Sequence, residues 1–408
     1  MRVPRNSGLP PRVAPLFRRF RGPLQGACIA ISIGIASPSL FILFAAELKS
    51  LDPQSAAPLN EGDITPAMPV WNPLYSLSTS VGYKDNLILA SRGAESSGFV
   101  GLSGDFTLWK RPNNDGKELQ FGLSASDRRY WADRNMDHEN AFIGYGRYLH
   151  DLGSRWQWVS EFSTGYFDQV FDFTTLETQA KRRRLQQITL GGSMGFRRRI
   201  HDRSWLQFSP IASRSWFHDE FDHYTEYGGA VTWTTEYGNR SEWSIDYSAR
   251  IRAYDSSMQA TLQGFSVPGS SLRYERHALQ LADKHYIDPA RHWLLETKVR
   301  GLLSYDNGSG YFDYWRVGFS ERLQIRLRRW EFRFEAGLTY YEFPHQFVGA
   351  TLQNKRTRCD IIALARVERT LRPGWKLFAE YDRDQSQASD SLEQFRANTV
   401  SGGVVWEF

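Results

Sequence analysis

Arg250 and Arg252, Glu296, Lys298 and Arg300, Arg316 and Arg322, and Glu331, Arg333 and Glu335 stand at even spacings inside runs that alternate polar with apolar residues. The same alternation adds Arg366 and Lys376 to the bases, and Asp246, Asp360, Glu368, Glu380, Asp382 and Glu407 to the acids, giving nine of each sign. Side chains two apart on an extended chain share one face, so these charges line a single wall. Such a wall has two uses. It sets up a transverse field and binding rungs for small polar solutes, or its opposite charges pair across neighbouring strands. Both require water, because unpaired charge in a dry interior is costly.

Other chemistry is weaker. His218, Asp219, Glu220, Asp222 and His223 form the densest histidine–acid cluster, yet their spacing matches no defined metal-ligand template. Lys181 to Arg184 is the strongest basic run beyond the N-terminus and suits phosphate groups, or equally a hydrated loop end. The glycine pairs Gly191–Gly192, Gly228–Gly229 and Gly402–Gly403 lie within strand-like runs with no helix following, so they are not phosphate loops. No serine, histidine and acid can be placed at one depth on adjacent strands, and the chain reads as a non-enzyme without cofactor or metal.

The elements that carry the charges are strands. Tyr75, Leu77, Thr79, Val81 and Tyr83 alternate with Ser76, Ser78, Ser80 and Gly82; Trp330, Phe332, Phe334, Ala336, Leu338 and Tyr340 alternate with Glu331, Arg333, Glu335, Gly337 and Thr339. About sixteen such segments are counted, with 14 or 18 as alternatives, starting near residues 74, 98, 118, 139, 156, 185, 205, 224, 242, 273, 293, 312, 330, 356, 375 and 397. Most run ten to thirteen residues, near the ~9–11 that a tilted strand needs to cross a membrane. Connections after even strands are short and turn-rich, and those after odd strands tend to be longer. Two loop classes mean two chemically different sides. Trp156, Trp158, Trp243, Trp293, Trp315, Trp330, Trp375 and Trp406 sit near strand ends, where an interfacial girdle would place them. The expected fold is therefore all-β: a transmembrane, antiparallel, up-and-down barrel. In the early strands the inward set reads chiefly as Ser, Gly, Thr and Gln, with Asp105 and Glu161 as exceptions.

The termini fit that reading. Residues 1–46 carry six arginines and no acid, then the apolar run Ala27–Ala46, as in a secretory signal peptide, although the run is also long enough to be an uncleaved anchor. Those six account for more than the formal charge of +5 and leave residues 47–408 at about −1, so nothing points to nucleic acid. Cleavage is expected after Ala46, which removes Cys28 and leaves Cys359 as the one thiol. Residues 47–73, rich in proline, read as a periplasmic lead-in, and 74–408 as the barrel. The chain ends on Val400, Gly402, Val404, Trp406 and Phe408 on one face, so the last strand runs up to the carboxylate.

Leader, alternating strands and the aromatic C-terminal strand together resemble Gram-negative outer-membrane β-barrel proteins. The stretch SVGYKDNL, Ser80–Leu87, is similar to a first-strand motif Gly-Tyr-Asp-Asp/Ser-Asn-Val of barrel porins, with Lys84 in place of the acid. The resemblance implies location in the bacterial outer membrane and contact with its lipids and lipopolysaccharide. It also implies a C-terminal signal, Val404, Trp406 and Phe408, read by the barrel-assembly machinery. It implies a porin-like channel for small hydrophilic solutes, passive or weakly selective. A non-conducting structural or surface-binding barrel is the alternative, and an outer-membrane hydrolase a third. Solute, pore size and oligomeric state are left open.

Overall fold

A computed structural model describes residues 71–110, 116–131, 137–172, 182–218, 222–238, 240–348 and 354–408. The expected leader and most of the lead-in lie outside the described residues, as do Lys181, Asp219 and Glu220.

Sixteen antiparallel strands close into one barrel. They are β1 (Trp71–Lys84), β2 (Ser97–Lys110), β3 (Lys117–Tyr130), β4 (His138–Asp151), β5 (Trp156–Asp172), β6 (Arg182–His201), β7 (Ser204–Phe217) and β8 (Tyr224–Tyr237). The second half comprises β9 (Ser241–Tyr254), β10 (Arg273–Tyr286), β11 (Trp293–Asp306), β12 (Tyr314–Leu327), β13 (Trp330–Val348), β14 (Asn354–Arg372), β15 (Trp375–Ala388) and β16 (Phe395–Glu407). Each strand pairs with its sequence neighbours, and β1 with β16. The count of sixteen matches the sequence expectation, and every start lies within three residues of it. Lengths differ: most strands run 14 residues and β6 reaches 20. The first begins at Trp71, because Pro73 sits in the strand opposite Leu108 rather than ending it.

Alternation sorts the wall. Leu77, Val81, Val100, Leu102, Leu190, Met194 and Phe334 are exposed on the outer surface. The other parity turns inward and bonds across strands: Ser76 donates to Asp105 at 3.0 Å, and Ser78 meets Ser103 at 2.6 Å. A barrel with an apolar outside and a hydrogen-bonded polar inside inverts a soluble protein. It matches the pattern of a strand protein whose solvent is lipid.

The seam between β1 and β16 is tied at both ends. At the short-turn end Tyr75 and Phe408 exchange backbone hydrogen bonds, each 3.1 Å, and Phe408 packs on Tyr75 and Trp406, which stacks on Trp375. At the other end the Asn398 backbone N–H and side-chain amide both donate to the Asp85 carboxylate. Between them the sheet is tight: a Cβ on Gly403 would collide with the Thr79 carbonyl oxygen. Deleting Phe408 removes one backbone pair and the ring joining Tyr75 to Trp406. We expect the truncated chain to refold into liposomes several-fold more slowly, read as the fraction migrating in the compact, heat-modifiable form; unchanged kinetics would exclude this role.

Candidate functional site: the charged inner wall

The inner wall is a set of ion-pair clusters. On β12 and β13 Arg322 donates from Nε to Glu335 at 2.8 Å and from Nη1 to Glu296 of β11 at 3.2 Å; Arg333 lies 2.9 Å from Glu335. On β14 and β15 Arg366 bridges Glu368 at 2.7 Å and Glu380 at 2.9 Å, and Lys376 reaches Glu407 at 2.6 Å. Glu331 accepts from Gln324 and lies 3.5 Å from Arg326. Arg300 donates to Gln280 at 2.6 Å. Lys298 is opposite Ala282 and Ser320, and Arg316 opposite Leu302 and Tyr341, on the same inward parity. Adjacent strands thus hold much of the charge in cross-strand pairs.

One cluster departs from one-to-one pairing. Glu226 of β8 accepts Arg250 at 3.0 Å, Arg252 at 3.0 Å and Arg276 of β10 at 2.9 Å. The carboxylate is 6% exposed, Arg252 2% and Arg276 8%, so these charges are held away from bulk water. The Arg252 guanidinium also lies over the Tyr224 ring at 4.2 Å, and Tyr224 continues through Tyr254 to Tyr274 as ring contacts of 5.4 and 5.7 Å. Three guanidiniums on one carboxylate leave a local positive excess framed by phenol rings. On β14 and β15 Asp360, Asp382 and Asp384 share the inward face with bases: Arg358 donates to Asp360 at 2.5 Å, and Arg366 and Lys376 lie on the same two strands.

The early strands are more charged than the sequence reading allowed. Lys84 of β1 reaches Glu139 of β4 at 2.9 Å, spanning β2 and β3 across the concave wall, and Tyr130 donates to the same carboxylate at 2.8 Å. Arg147 lies 3.4 Å from Glu161. Lys84, Arg128, Glu139, Glu226 and Arg276 were not in the expected charged set: Lys84 and Arg128 sit at the far ends of their strands, whereas Glu139, Glu226 and Arg276 lie at or just inside the expected starts near 139, 224 and 273. Their signal was parity: each shares the register of the polar set on its own strand.

The connection after β1, residues 85–96, turns into the barrel mouth. Leu87 is fully buried and packs with inward-facing Phe99 and Tyr130; Leu89 packs with Phe395 and Ala397 of the last strand. Asn86 ties the turn, accepting from the Ala90 N–H at 2.8 Å and donating to the carbonyls of Ala90 and Arg396 at 2.9 Å each. Leu89 has φ 53, the left-handed region that a branched side chain avoids, so its buried contacts offset local strain. The Ser80–Leu87 motif now reads as parts: Gly82 leaves room for the Phe99 ring, Lys84 pairs with Glu139, Asp85 latches β16, Asn86 makes the turn and Leu87 fills the mouth.

Of the other sequence candidates, Asp222 and His223 lie in loop structure, whereas Arg182 to Arg184 open strand β6 rather than ending a loop. Asp222 accepts the backbone N–H groups of Ser256 and Ser257 and the Ser256 hydroxyl; burial works against its charge, but these donors hold the carboxyl below the usual range. His223 accepts from the Phe217 N–H at 3.2 Å. Arg184 is engaged by Asp168 and Asp137 on the outer wall, at 2.7 and 3.0 Å. No group of three His, Cys, Asp or Glu side chains among the described residues is placed to hold a metal ion.

No family model matches the chain, and no curated protein matches it. Among solved structures, the barrel is similar to the outer membrane channel DcaP of Acinetobacter baumannii, at 11% identity and TM-score 0.48, over 83% of this chain and 97% of that one. It is also similar to OccAB1 of the same organism, at 10% identity and TM-score 0.43, over 83% and 97%. A third is OpdK, an outer membrane protein of Pseudomonas aeruginosa, at 8% identity and TM-score 0.39, over 83% and 99%. These are likenesses of fold.

Proposed function

We propose that the chain is a bacterial outer-membrane channel through which small hydrophilic solutes pass passively or with weak selectivity. The observation that carries this reading is the pairing of an apolar outer surface with a charged, hydrogen-bonded inner wall in a closed sixteen-strand barrel. Barrels of 16–18 strands are wide enough to leave an aqueous passage, and water in it would screen the more exposed ion pairs of the wall. The short turns would face the periplasm and the longer loops the outside, with membrane lipid and lipopolysaccharide as neighbours. Val404, Trp406 and Phe408 would act as the insertion signal. A wall that carries both signs, with an arginine cluster around Glu226 and mixed ion pairs on β14 and β15, suits polar solutes of either sign.

A second reading rests on residues 85–96. Their inward turn and the mouth-filling Leu87 and Leu89 would close the lumen, leaving a structural barrel. Liposome swelling separates the two. Proteoliposomes containing the channel are expected to swell in isosmotic sugars and amino acids at rates that fall steeply with solute size, whereas a closed barrel would give the rate of empty liposomes.

A further inference from the structure

At mid-height, where a lipid-facing surface should carry no charge, the described part of the outer wall carries two. Among the described residues, Glu321 of β12 and Arg383 of β15 alone place a formal charge on the outer face within the middle third of their strands. Outward placement follows from register. Glu321 shares parity with exposed Val317 and Phe319, and Arg383 with exposed Leu377 and Tyr381. Both belong to one cross-strand row: Glu321 is opposite Ala336, Ala336 opposite Ala363, and Ala363 opposite Arg383.

Neither charge meets an opposite charge among the described residues. Among the described residues Glu321 has no hydrogen-bond or ion-pair partner. Arg383 donates from Nη2 to its neighbour Gln385, and its Nε is inaccessible and unpartnered. An ionisable group at mid-membrane depth is expensive against hydrocarbon and marks a place where something other than lipid packs. Its sequence is acid, small, small, base across four adjacent strands. The two alanines keep the centre of the row low, so another wall can approach closely.

We propose that this row is the contact between two copies of the chain, related by a two-fold axis along the membrane normal. A two-fold interface is isologous, so what residue i meets, residue j meets in return. Reversing Glu321–Ala336–Ala363–Arg383 against itself sets each acid toward the partner copy's base, with alanines between. The occupant is therefore a second copy, because the row is complementary to itself in charge. This inference rests on the membrane reading above, since in water both charges would be ordinary.

The test uses the full protein inserted in bilayers and extracted in mild detergent, with mass measured by light scattering or native mass spectrometry. Wild type is expected to be a dimer. Glu321→Arg and Arg383→Glu, each alone, juxtapose like charges and are expected to weaken association more than about tenfold, giving monomers. Mixed together during refolding, the two variants present opposite charges at both contacts and are expected to form heterodimers. Monomeric wild type, or a mixture of variants that stays monomeric while each remains a compact, heat-modifiable barrel, overturns the proposal. Wild type that fails to insert at all would instead overturn the membrane reading.

Discussion

Glu226→Ala is expected to be the most damaging single change to the barrel wall. It strips the one carboxylate that Arg250, Arg252 and Arg276 share and leaves three guanidiniums facing each other, two of them nearly inaccessible. Breaking a buried ion pair from one side costs about 3–5 kcal/mol because the abandoned charge stays desolvated. Here the abandoned charges also repel. The unfolding midpoint in urea should fall accordingly, and Glu226→Gln should fall less, since its amide oxygen still accepts from the arginines. The two variants agree in a second readout. In a conducting barrel, removing a negative charge from an arginine-rich arc should shift the reversal potential under a salt gradient toward anions for both. A stability loss without that shift would place the cluster outside the ion path.

Leu87→Ala is expected to have the second largest effect, and its character differs. Leu87 is fully buried against Phe99 and Tyr130, so truncation leaves a cavity worth about 2–5 kcal/mol. That loss falls on a loop, which can swing out before the strands separate. The expected outcome is therefore a near-normal global midpoint, with new protease cuts between Asp85 and Ser96 and a larger, noisier conductance. Leu89 should behave likewise, moderated by relief of its left-handed backbone. A variant with intact protease resistance and unchanged current would show that residues 85–96 neither depend on Leu87 nor narrow the passage.

Sequence alternation carried the barrel because a strand between lipid and water has a fixed period of two and offers every residue only two environments. The tryptophans sharpened it: starts at Trp156, Trp293, Trp330 and Trp375 coincide with the observed strands. Where no bulky marker stands at the boundary, as at Arg182 or Asn354, the start shifted by two or three residues. The same uncertainty hid part of the charged wall. Lys84 and Arg128 sit at the far ends of β1 and β3, and strands judged too short drop such positions; Glu226 and Arg276 lie inside strands whose starts were placed at the observed residues, where polar parity alone marked them. Pairing partners were legible where they are sequence neighbours across a tight turn, as for Arg322 and Glu335. They were not legible between Lys84 and Glu139, 55 residues apart, which the curvature of the wall brings together, or between Asn86 and Arg396, 310 apart, which closure of the ring brings together, because no local pattern encodes either. The inward turn of residues 85–96 belongs to that second class. Its apolar residues looked like an ordinary loop until Phe99 and Phe395 were placed around them.

The SVGYKDNL stretch shows how a motif and a fold can explain one another. Lys84, the departure from the similar pattern, makes an ion pair of its own with Glu139. Asp85 and Asn86 hold the last strand to the first, so this short segment both closes the ring and positions the mouth loop. Any widening of the mouth must therefore work against the seam.

Single-channel recording of the purified protein in planar bilayers tests the central claim most directly. A water-filled, charge-lined sixteen-strand barrel is expected to give discrete, reproducible conductance steps that scale with salt and grow in Leu87→Ala. A folded, heat-modifiable barrel that inserts yet stays electrically silent, in wild type and in Leu87→Ala alike, would contradict it.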